Sequence, residues 1–145
     1  MKKKIAINGF GRIGRLTLRA FFEKKTEEFE ISAINDLGDV ESNIHLYKYD
    51  TVHGKCKEEI KNNSGTVTIN NQEIKFLSEP NPSKLPWSDL DIDLVIESTG
   101  FFTDRNGAEK HLEAGAKKVL ISAPAKDPDF TVVYGVNDND LIDDH

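Results

Sequence analysis

The sequence predicts an α/β fold, a doubly wound parallel sheet with an inserted β-hairpin, and three observations support this class. Short apolar runs typical of buried strands alternate with segments of helical periodicity, which is the pattern of βα units. The first apolar run leads directly into a glycine-rich turn and a helix. Two alternating runs, residues 66–70 and 73–77, flank Asn71 and Gln72 and indicate a hairpin at an edge of the sheet. We expect one domain over residues 1–145.

The glycine-rich turn carries the pattern G-x-G-x-x-G at Gly9, Gly11 and Gly14. Glycines in this pattern permit a tight turn, a close approach of backbone to a pyrophosphate, and close packing of helix on strand. The first turn of the following helix presents unpaired N–H groups and the positive end of the helix dipole, which suit a phosphate. Glycine turns also arise for packing alone, so the interpretation depends on context. The preceding strand, the following helix and a downstream acid all favour a dinucleotide site.

The helix after the turn is expected to bury one face, formed at helical spacing by Ile13, Leu16, Thr17, Ala20 and Phe21. Three prolines make residues 79–87 an irregular connector. The other elements follow from the same periodicities. Helices are predicted over residues 40–49 and 104–113, and strands over residues 5–7, 29–36, 93–97, 118–122 and 130–134.

Asp36 ends the second predicted strand and follows Gly14 at close to the roughly 20-residue separation at which a carboxylate meets the adenine ribose of NAD. A carboxylate there also repels the additional phosphate of NADP. The sequence therefore predicts NAD as the cofactor. The alternative is that Asp36 only caps the helix that begins near Asp39 and Val40, since Asp is a good N-cap residue.

Composition excludes several classes of function. The formal net charge of −6 argues against nucleic acid as a partner, because phosphate neutralisation needs clustered Lys and Arg. No apolar stretch approaches the roughly 20 residues of a membrane span, and the N-terminus lacks the apolar segment of a signal peptide. Cys56 is the only cysteine, so no internal disulfide forms. We expect a cytoplasmic protein without a membrane or nucleic-acid partner.

Several candidate residues follow the ends of predicted strands. In parallel sheets, ligands bind beyond the carboxyl ends of the strands, where Gly9, Asp36, Thr99 and Ser122 lie. These residues are expected to line one crevice. The alternatives are that Thr99 and Gly100 form only a turn, and that the Ser122 hydroxyl satisfies local backbone groups.

Six blocks in order along the chain resemble the signatures of the glyceraldehyde-3-phosphate dehydrogenase family. The blocks are Ile7-Asn8-Gly9-Phe10-Gly11-Arg12-Ile13-Gly14-Arg15, Ala33-Ile34-Asn35-Asp36-Leu37, Lys48-Tyr49-Asp50-Thr51-Val52-His53-Gly54, Glu97-Ser98-Thr99-Gly100, Ala114-Gly115-Ala116-Lys117-Lys118-Val119 and Ser122-Ala123-Pro124. The resemblance extends from residue 1 to the end of the chain and implies a Rossmann NAD-binding domain. The sequence also resembles erythrose-4-phosphate dehydrogenase, a sister family that remains an alternative.

The resemblance implies a set of cofactor-binding residues. Arg12 and Ile13 contact the pyrophosphate through their backbone, Asp36 holds the adenine ribose, and Leu37 after the acid is typical of members that use NAD. The whole implied set is Gly9, Gly11, Arg12, Ile13, Gly14, Asp36, Thr99, Gly100 and Ser122. One position departs from the family pattern, since Pro80 stands where Arg or Lys usually lies near the adenine.

The resemblance also implies the reaction of the whole protein, a homotetramer. A cysteine thiolate activated by a histidine attacks glyceraldehyde 3-phosphate, hydride passes to NAD, and inorganic phosphate releases the acyl group. The block with that cysteine is expected after the end of this chain, so the catalytic domain is absent, and we predict cofactor binding without turnover. His53 and Cys56 match no catalytic block, and the histidines show no metal-ligand spacing. A stand-alone nucleotide-binding module is the other alternative.

Overall fold

The computed structural model of the protein describes residues 2–24, 26–50, 54–55, 59–132 and 135–142. Strands and helices alternate through most of this part of the chain. The strands are β1 (Lys3–Asn8), β2 (Phe29–Asn35), β3 (Tyr49–Asp50), β4 (Gly54–Lys55), β5 (Ile60–Asn63), β6 (Thr66–Ile69), β7 (Gln72–Leu77), β8 (Leu94–Glu97) and β9 (Lys118–Ile121). The helices are α1 (Arg12–Lys24), α2 (Val40–Lys48) and α3 (Arg105–Glu113), with short 3₁₀ turns at Pro82–Lys84 and Asp138–Asp140.

Seven strands form one sheet in the order β5-β6-β7-β2-β1-β8-β9. Strands β7, β2, β1, β8 and β9 run parallel, whereas β5, β6 and β7 pair antiparallel. The central strand β1 lies between β2 and β8, so its carboxyl end stands where the strand order reverses. The sheet confirms the predicted doubly wound α/β class, and this reversal is where such folds bind ligands.

Each face of the sheet has its own apolar core, because successive strand residues point to opposite sides. Ile5 and Ile7 of β1 join side chains of α1 and α2 in one cluster. Ala6, between them, joins the other cluster, which contains Trp87 and Ala114. Small residues on this second face let the connector after β7 and the end of α3 lie close to the sheet.

Helix α1 is rotated relative to the face that its sequence predicts. Its buried residues are Gly14, Leu18, Arg19 and Phe22, while half of the Ile13 side chain is exposed. The predicted face is therefore only partly correct: Ile13 and Ala20 are exposed, whereas Phe21 is half-buried and packs against the core. The cause is Gly14: a Cβ built there would lie 2.2 Å from the Gly9 carbonyl oxygen. That backbone contact turns the side of the helix bearing Gly14 toward the sheet.

The predicted hairpin is confirmed at the edge of the sheet and has a further role there. Its turn lies at Asn70 and Asn71, one residue earlier than expected, and Gln72 already belongs to β7. Both turn residues have positive φ, 53° and 69°, as a tight two-residue turn with matching twist requires. Strand β7 then pairs in parallel with β2 and supplies the next strand of the main sheet. Strand β5, which the sequence pattern did not indicate, extends the edge by pairing with β6.

The predicted helices over residues 40–49 and 104–113 are confirmed, and each begins at an aspartate. Asp39 caps α2 by accepting the Ser42 N–H at 3.1 Å, and Asp104 caps α3 by accepting the Gly107 N–H at 2.7 Å. Within the described ranges, no helix has the length and apolar character needed to cross a membrane.

The strand expected over residues 130–134 does not form at 130–132, and Val133 and Tyr134 lie outside the described residues. The chain leaving β9 pairs instead with the start of α3. Lys126 N–H donates to the Thr103 carbonyl at 2.8 Å, and Arg105 N–H donates to the Lys126 carbonyl at 3.2 Å. These bonds hold the segment against the helix entrance, which the apolar pattern of residues 130–134 does not reveal.

Substituting Gly14 tests the contact that sets the register of α1. Gly14→Ala places a methyl group against the Gly9 carbonyl, so the backbone must shift, and we expect a loss of about 3 kcal/mol in the free energy of unfolding. Gly11→Ala is the matched control, since nothing lies within 4 Å of a Cβ there and its φ is not in the left-handed region. Urea denaturation measures both variants. Equal stabilities would contradict the assigned contact.

Candidate functional site

A cleft of ≈ 340 Å³ lies at the carboxyl ends of the central strands. The turns after β1, β2, β7 and β8 supply its lining. The lining residues are Asn8, Gly9, Gly11, Asn35, Asp36, Leu37, Glu79, Pro80, Ser98, Thr99, Phe101 and Phe102. Four of the predicted site residues, Gly9, Gly11, Asp36 and Thr99, are therefore brought together around one cavity.

The floor of the cleft is formed where the turn after β1 meets the turn after β8. A Cβ on Gly9 would lie 2.7 Å from the Thr99 nitrogen, and Gly9 has a φ of +97°, so a larger residue is excluded by both space and backbone conformation. The Ser98 hydroxyl donates to the Gly9 carbonyl at 2.7 Å. The glycine thus allows two turns to pack backbone against backbone beneath the cavity.

Asp36 stands at the end of β2 and faces the glycine turn. Its Oδ1 accepts the Phe10 N–H at 2.8 Å, and its Oδ2 accepts the Gly38 N–H at 2.9 Å and the Asn43 amide at 3.1 Å. A carboxylate has about four acceptor positions, so these bonds leave one on Oδ1. Asp39, rather than Asp36, caps α2, which removes the alternative helix-cap role.

The start of α1 lies beside Gly11 at the cleft rim. Arg15 N–H makes the first backbone bond of the helix, to the Gly11 carbonyl at 3.0 Å, so the preceding N–H groups at Arg12, Ile13 and Gly14 lack helical partners. Among the described residues, the exposed Arg12 side chain forms no salt bridge. This end of the helix offers N–H donors and a positive charge to an anion.

Besides Arg12, Ile13 and Gly14 at the start of α1, two further predicted residues are not part of the cleft lining. Gly100 continues the turn after Thr99 with a φ of +81° and nothing within 4 Å of a Cβ position. Ser122 follows β9, and its hydroxyl donates to the Glu97 carbonyl at 3.1 Å. The Ser122 hydroxyl therefore bonds to local backbone, the alternative that its sequence position left open.

A buried polar network lies directly beneath the cleft, and sequence reasoning did not identify it as a unit. Its centre is Glu97, the last residue of β8, which is 2% exposed. Glu97 accepts bonds from Asn8 at 2.6 Å and from both the nitrogen and the hydroxyl of Thr99 at 2.9 and 2.7 Å. His111 of α3 contacts the same carboxylate at 2.8 Å.

The network continues across the sheet from Asn8. Asn35 of β2 donates to the Asn8 carbonyl oxygen Oδ1 at 2.8 Å, and it exchanges bonds with the backbone of Glu79 at 2.8 and 3.0 Å. Side chains from three neighbouring strands therefore connect the turn after β8 to the loop after β7. The two sides of the cleft share one set of hydrogen bonds.

The electrostatics of Glu97 reflect two opposing effects. Burial raises the pKa of this carboxyl, whereas the hydrogen bonds from His111, Thr99 and Asn8 lower it, and the bonds prevail, so the pKa lies below its ordinary value of 4.5. Glu97 is a buried carboxylate with four donors around it. One signal in the sequence points to it: an acid closing an apolar strand must find partners if it is buried.

A second depression, ≈ 390 Å³, lies at the amino ends of β2 and β7 and includes Glu30 and Glu73. It contains none of the predicted site residues and lies at the opposite end of the strands. Within the described ranges, no group of three or more His, Cys, Asp or Glu side chains is arranged to hold a metal. The His53 and Cys56 pair lies outside the described residues.

Comparison with known proteins identifies the family. The family model for the NAD binding domain of glyceraldehyde 3-phosphate dehydrogenase matches residues 3–105. The chain belongs to this family. It is 52% identical over 142 residues to the glyceraldehyde-3-phosphate dehydrogenase of Thermotoga maritima, covering 98% of this chain and 43% of that protein. The enzyme of Streptomyces coelicolor is 54% identical over 137 residues, with 94% of this chain and 40% of that protein covered.

A third relative, the glyceraldehyde-3-phosphate dehydrogenase of Xanthobacter flavus, is 50% identical over all 145 residues of the chain. The chain spans 43% of that relative's length and less than half of each of the other two. The family predicted from the six sequence blocks is confirmed, and so is NAD as the cofactor of this domain. The cleft lies at the strand-order reversal, which is where doubly wound folds bind their ligands.

Replacing Glu97 tests the buried carboxylate. Because the folded pKa lies below the unfolded one, the stability that Glu97 contributes is present above about pH 4.5 and is lost as the pH falls through the folded pKa. Glu97→Gln leaves two donors facing an amide NH₂, so we expect a loss of about 3 kcal/mol in unfolding free energy at pH 7. The deficit narrows as the pH falls below about 4.5 toward the folded pKa of Glu97.

Urea denaturation across that pH range measures the effect. Glu73→Gln, at an exposed position of β7, is the matched control and is expected to stay within about 0.5 kcal/mol of the unsubstituted protein. A Glu97→Gln deficit that is constant with pH would show that the carboxylate charge is not what stabilises the site.

Proposed function

We propose that this chain binds NAD in the cleft between the glycine turn and Asp36, as the cofactor-binding part of a phosphorylating glyceraldehyde-3-phosphate dehydrogenase. The observation that carries the proposal is the Asp36 carboxylate, held at the cleft by the Phe10 N–H at 2.8 Å with one acceptor position open. A ribose hydroxyl is a donor that suits this position.

The choice of NAD over NADP follows from charge. A 2′-phosphate on the adenine ribose would lie close to the Asp36 carboxylate, where like charges repel. Pro80 adds no cation to this side of the cleft, although it lines the cavity. The departure from the family pattern at Pro80 therefore leaves this loop to contact the adenine without a positively charged side chain at that position.

The proposed cofactor-binding residues serve different parts of the dinucleotide. Gly9 and Gly14 let the glycine turn pack closely against neighbouring backbone, and the N–H groups of Arg12 and Ile13 suit the pyrophosphate. Exposed apolar side chains at the rim, Phe101 and Leu37, suit a planar base. The complete proposed set is Gly9, Gly11, Arg12, Ile13, Gly14, Asp36, Thr99, Gly100 and Ser122.

In the proposed reaction, bound NAD supplies an acceptor for the hydride of the aldehyde substrate. The residues of this chain bind and orient the cofactor, and we infer that the thiolate and the histidine that act on glyceraldehyde 3-phosphate and inorganic phosphate belong to another domain of the whole protein. The cleft lining contains neither cysteine nor histidine, which supports this division. Relatives named for glyceraldehyde 3-phosphate favour that substrate over erythrose 4-phosphate.

The whole protein is proposed to be a cytoplasmic homotetramer, as family membership suggests. Apolar side chains exposed outside the cleft, including Leu120, Leu141 and Ile142, support contacts with further parts of such an assembly. Sedimentation analysis of the whole protein tests the tetramer. A monomer at micromolar concentration would contradict it.

Calorimetric titration with NAD and with NADP tests the cofactor proposal. We expect saturable NAD binding with a Kd below about 1 mM, corresponding to about −4 kcal/mol, and weaker binding of NADP. Asp36→Asn removes the repelling charge and leaves one acceptor oxygen in place of two, so the preference for NAD should fall about tenfold or more.

Asp39→Asn is the matched control for this titration. It removes a charge three residues away and keeps an N-cap side chain, so it should retain the NAD preference. Equal affinities of the unsubstituted protein for NAD and NADP would overturn the role given to Asp36. A folded protein that releases no heat with either dinucleotide would rule out a stand-alone nucleotide-binding module.

A turnover assay tests the division of labour between domains. The chain alone, mixed with glyceraldehyde 3-phosphate, inorganic phosphate and NAD, is expected to produce no NADH, because loss of a covalent nucleophile lowers rates by several orders of magnitude. The whole protein is the positive control. Steady NADH formation by this chain alone would refute the proposed absence of the catalytic residues.

A further inference from the structure

The buried pair of Glu97 and His111 has no part in the cofactor contacts proposed above, although it lies directly under them. His111 is fully buried, and Glu97 is 2% exposed. Burying an acid and a base is costly unless each hydrogen-bonding group is matched. Here four donors surround the carboxylate, so the pair is fully matched on the Glu97 side.

The partners of His111 assign its proton. The indole N–H of Trp87 points at Nδ1 at 3.0 Å, and an indole can only donate. Nδ1 is therefore the acceptor and carries no hydrogen, and the ring is neutral with its proton on Nε2. That proton is donated to Glu97 at 2.8 Å. Trp87 thus fixes one tautomer, and the tautomer supplies a donor to the carboxylate.

The carboxylate in turn fixes the direction of the Thr99 hydroxyl. The hydroxyl proton is donated to Glu97 Oε2 at 2.7 Å, and the hydroxyl oxygen accepts the Phe101 N–H at 3.1 Å. A hydroxyl has one donor and two acceptor positions, so one acceptor position is left. Because Thr99 lines the cleft, this hydroxyl presents only an acceptor to a ligand there.

The same carboxylate also holds the opposite wall of the cleft, the loop at Glu79, through a chain of hydrogen bonds. Glu97 holds the amide of Asn8, whose oxygen receives Asn35, and Asn35 holds the loop at Glu79. Reversing the Asn8 amide would place its oxygen against the carboxylate and its NH₂ against the Asn35 donor. The charge on Glu97 therefore determines which way Asn8 faces.

We propose that Glu97, with its donor from His111 fixed by Trp87, is a positioning residue of the cofactor cleft. It holds Thr99 as a hydrogen-bond acceptor for a hydroxyl or amine donor of the dinucleotide, and it aligns the two walls through Asn8. This role rests on the proposed binding of NAD. The binding surface therefore depends on residues beneath it. Thr99 and Asn8 are oriented for the cofactor only while the Glu97 carboxylate is charged and accepts the hydrogen bond from His111 Nε2–H.

The first measurement is the tautomer of His111 in the unsubstituted protein at pH 7. A long-range ¹⁵N–¹H correlation spectrum distinguishes a bare ring nitrogen from a protonated one, and His111→Gln assigns the signals by their loss. We expect Nδ1 bare and Nε2 protonated. A proton on Nδ1 would overturn the proposal, because His111 would then offer no donor to Glu97. This measurement needs neither NAD nor a substituted Glu97.

The second measurement is NAD affinity by calorimetry in four variants. Glu97→Gln has one acceptor oxygen for four donors, so its Kd for NAD should rise at least tenfold. His111→Leu removes the donor to Glu97 and should also weaken binding, whereas His111→Gln keeps an amide donor and should remain within about threefold of the unsubstituted protein. Ile74→Ala empties a buried site on β7 and controls for lost stability.

The outcomes separate the two proposals. An unsubstituted protein that binds no NAD would overturn the proposed function itself. If it binds NAD and Glu97→Gln or His111→Leu binds equally well, only the positioning role is overturned. The role is also overturned if Ile74→Ala weakens binding as much as Glu97→Gln, or if His111→Gln behaves like His111→Leu. The two His111 variants and the spectrum decide the matter should Glu97→Gln fail to fold.

Discussion

The close packing of backbone around Gly9 is the constraint on which the rest of the site depends. Helix α1 packs at Gly14 against the carbonyl oxygen of Gly9. The Cα of Gly9 faces the turn at Thr99 and leaves no room for a Cβ there. Helix α1, the turn after β8 and the end of β1 are thereby fixed at one point. The register of α1 and the shape of the cleft floor both follow from a single crowded position.

A second layer of constraint is polar and lies between the strands. Glu97, Asn8 and Asn35 stand at the ends of three adjacent strands. Asn35 donates a hydrogen bond to Asn8, and Asn8 donates one to Glu97. Such a network stabilises the fold only when every member has its hydrogen-bond partner, because one buried group left unpaired costs more than a hydrogen bond contributes in net free energy. The network therefore favours a single arrangement of the strand ends, and it makes the cleft rigid before any ligand arrives.

The sequence predicted the elements well because their signals are local. Glycine spacing and apolar runs each act within a few residues, and the structure contains the turn, strands and helices that they predict. The rotation of α1 was not predictable from periodicity, since the residue that orients the helix is a glycine with no hydrophobic signal. The expected strand at 130–132 does not form, although its residues favour β structure, because β propensity depends on pairing with a neighbouring strand that the local sequence does not specify.

The site could be predicted in part, for the same physical reason. Asp36 is found by its distance from the glycines, because a strand and a helix of ordinary length fix that spacing. The partnership of Glu97 with His111 and Trp87 depends on the crossing of α3 over the sheet, and no sequence spacing encodes it. Only Glu97 could be singled out from the sequence, since a charge at the end of an apolar strand predicts buried partners but does not identify them.

The cleft combines a rigid polar floor with an exposed apolar rim, and this division suits a dinucleotide. At the floor, Asp36 and Thr99 are held by backbone and side-chain bonds, so their acceptors point in fixed directions. At the rim, Phe101 is 85% exposed, so it offers apolar contact area that does not require one fixed orientation of the ligand. Directional groups give specificity only if they do not relax, and apolar area gives affinity whatever the exact pose. The buried network supplies the rigidity that the first of these functions requires.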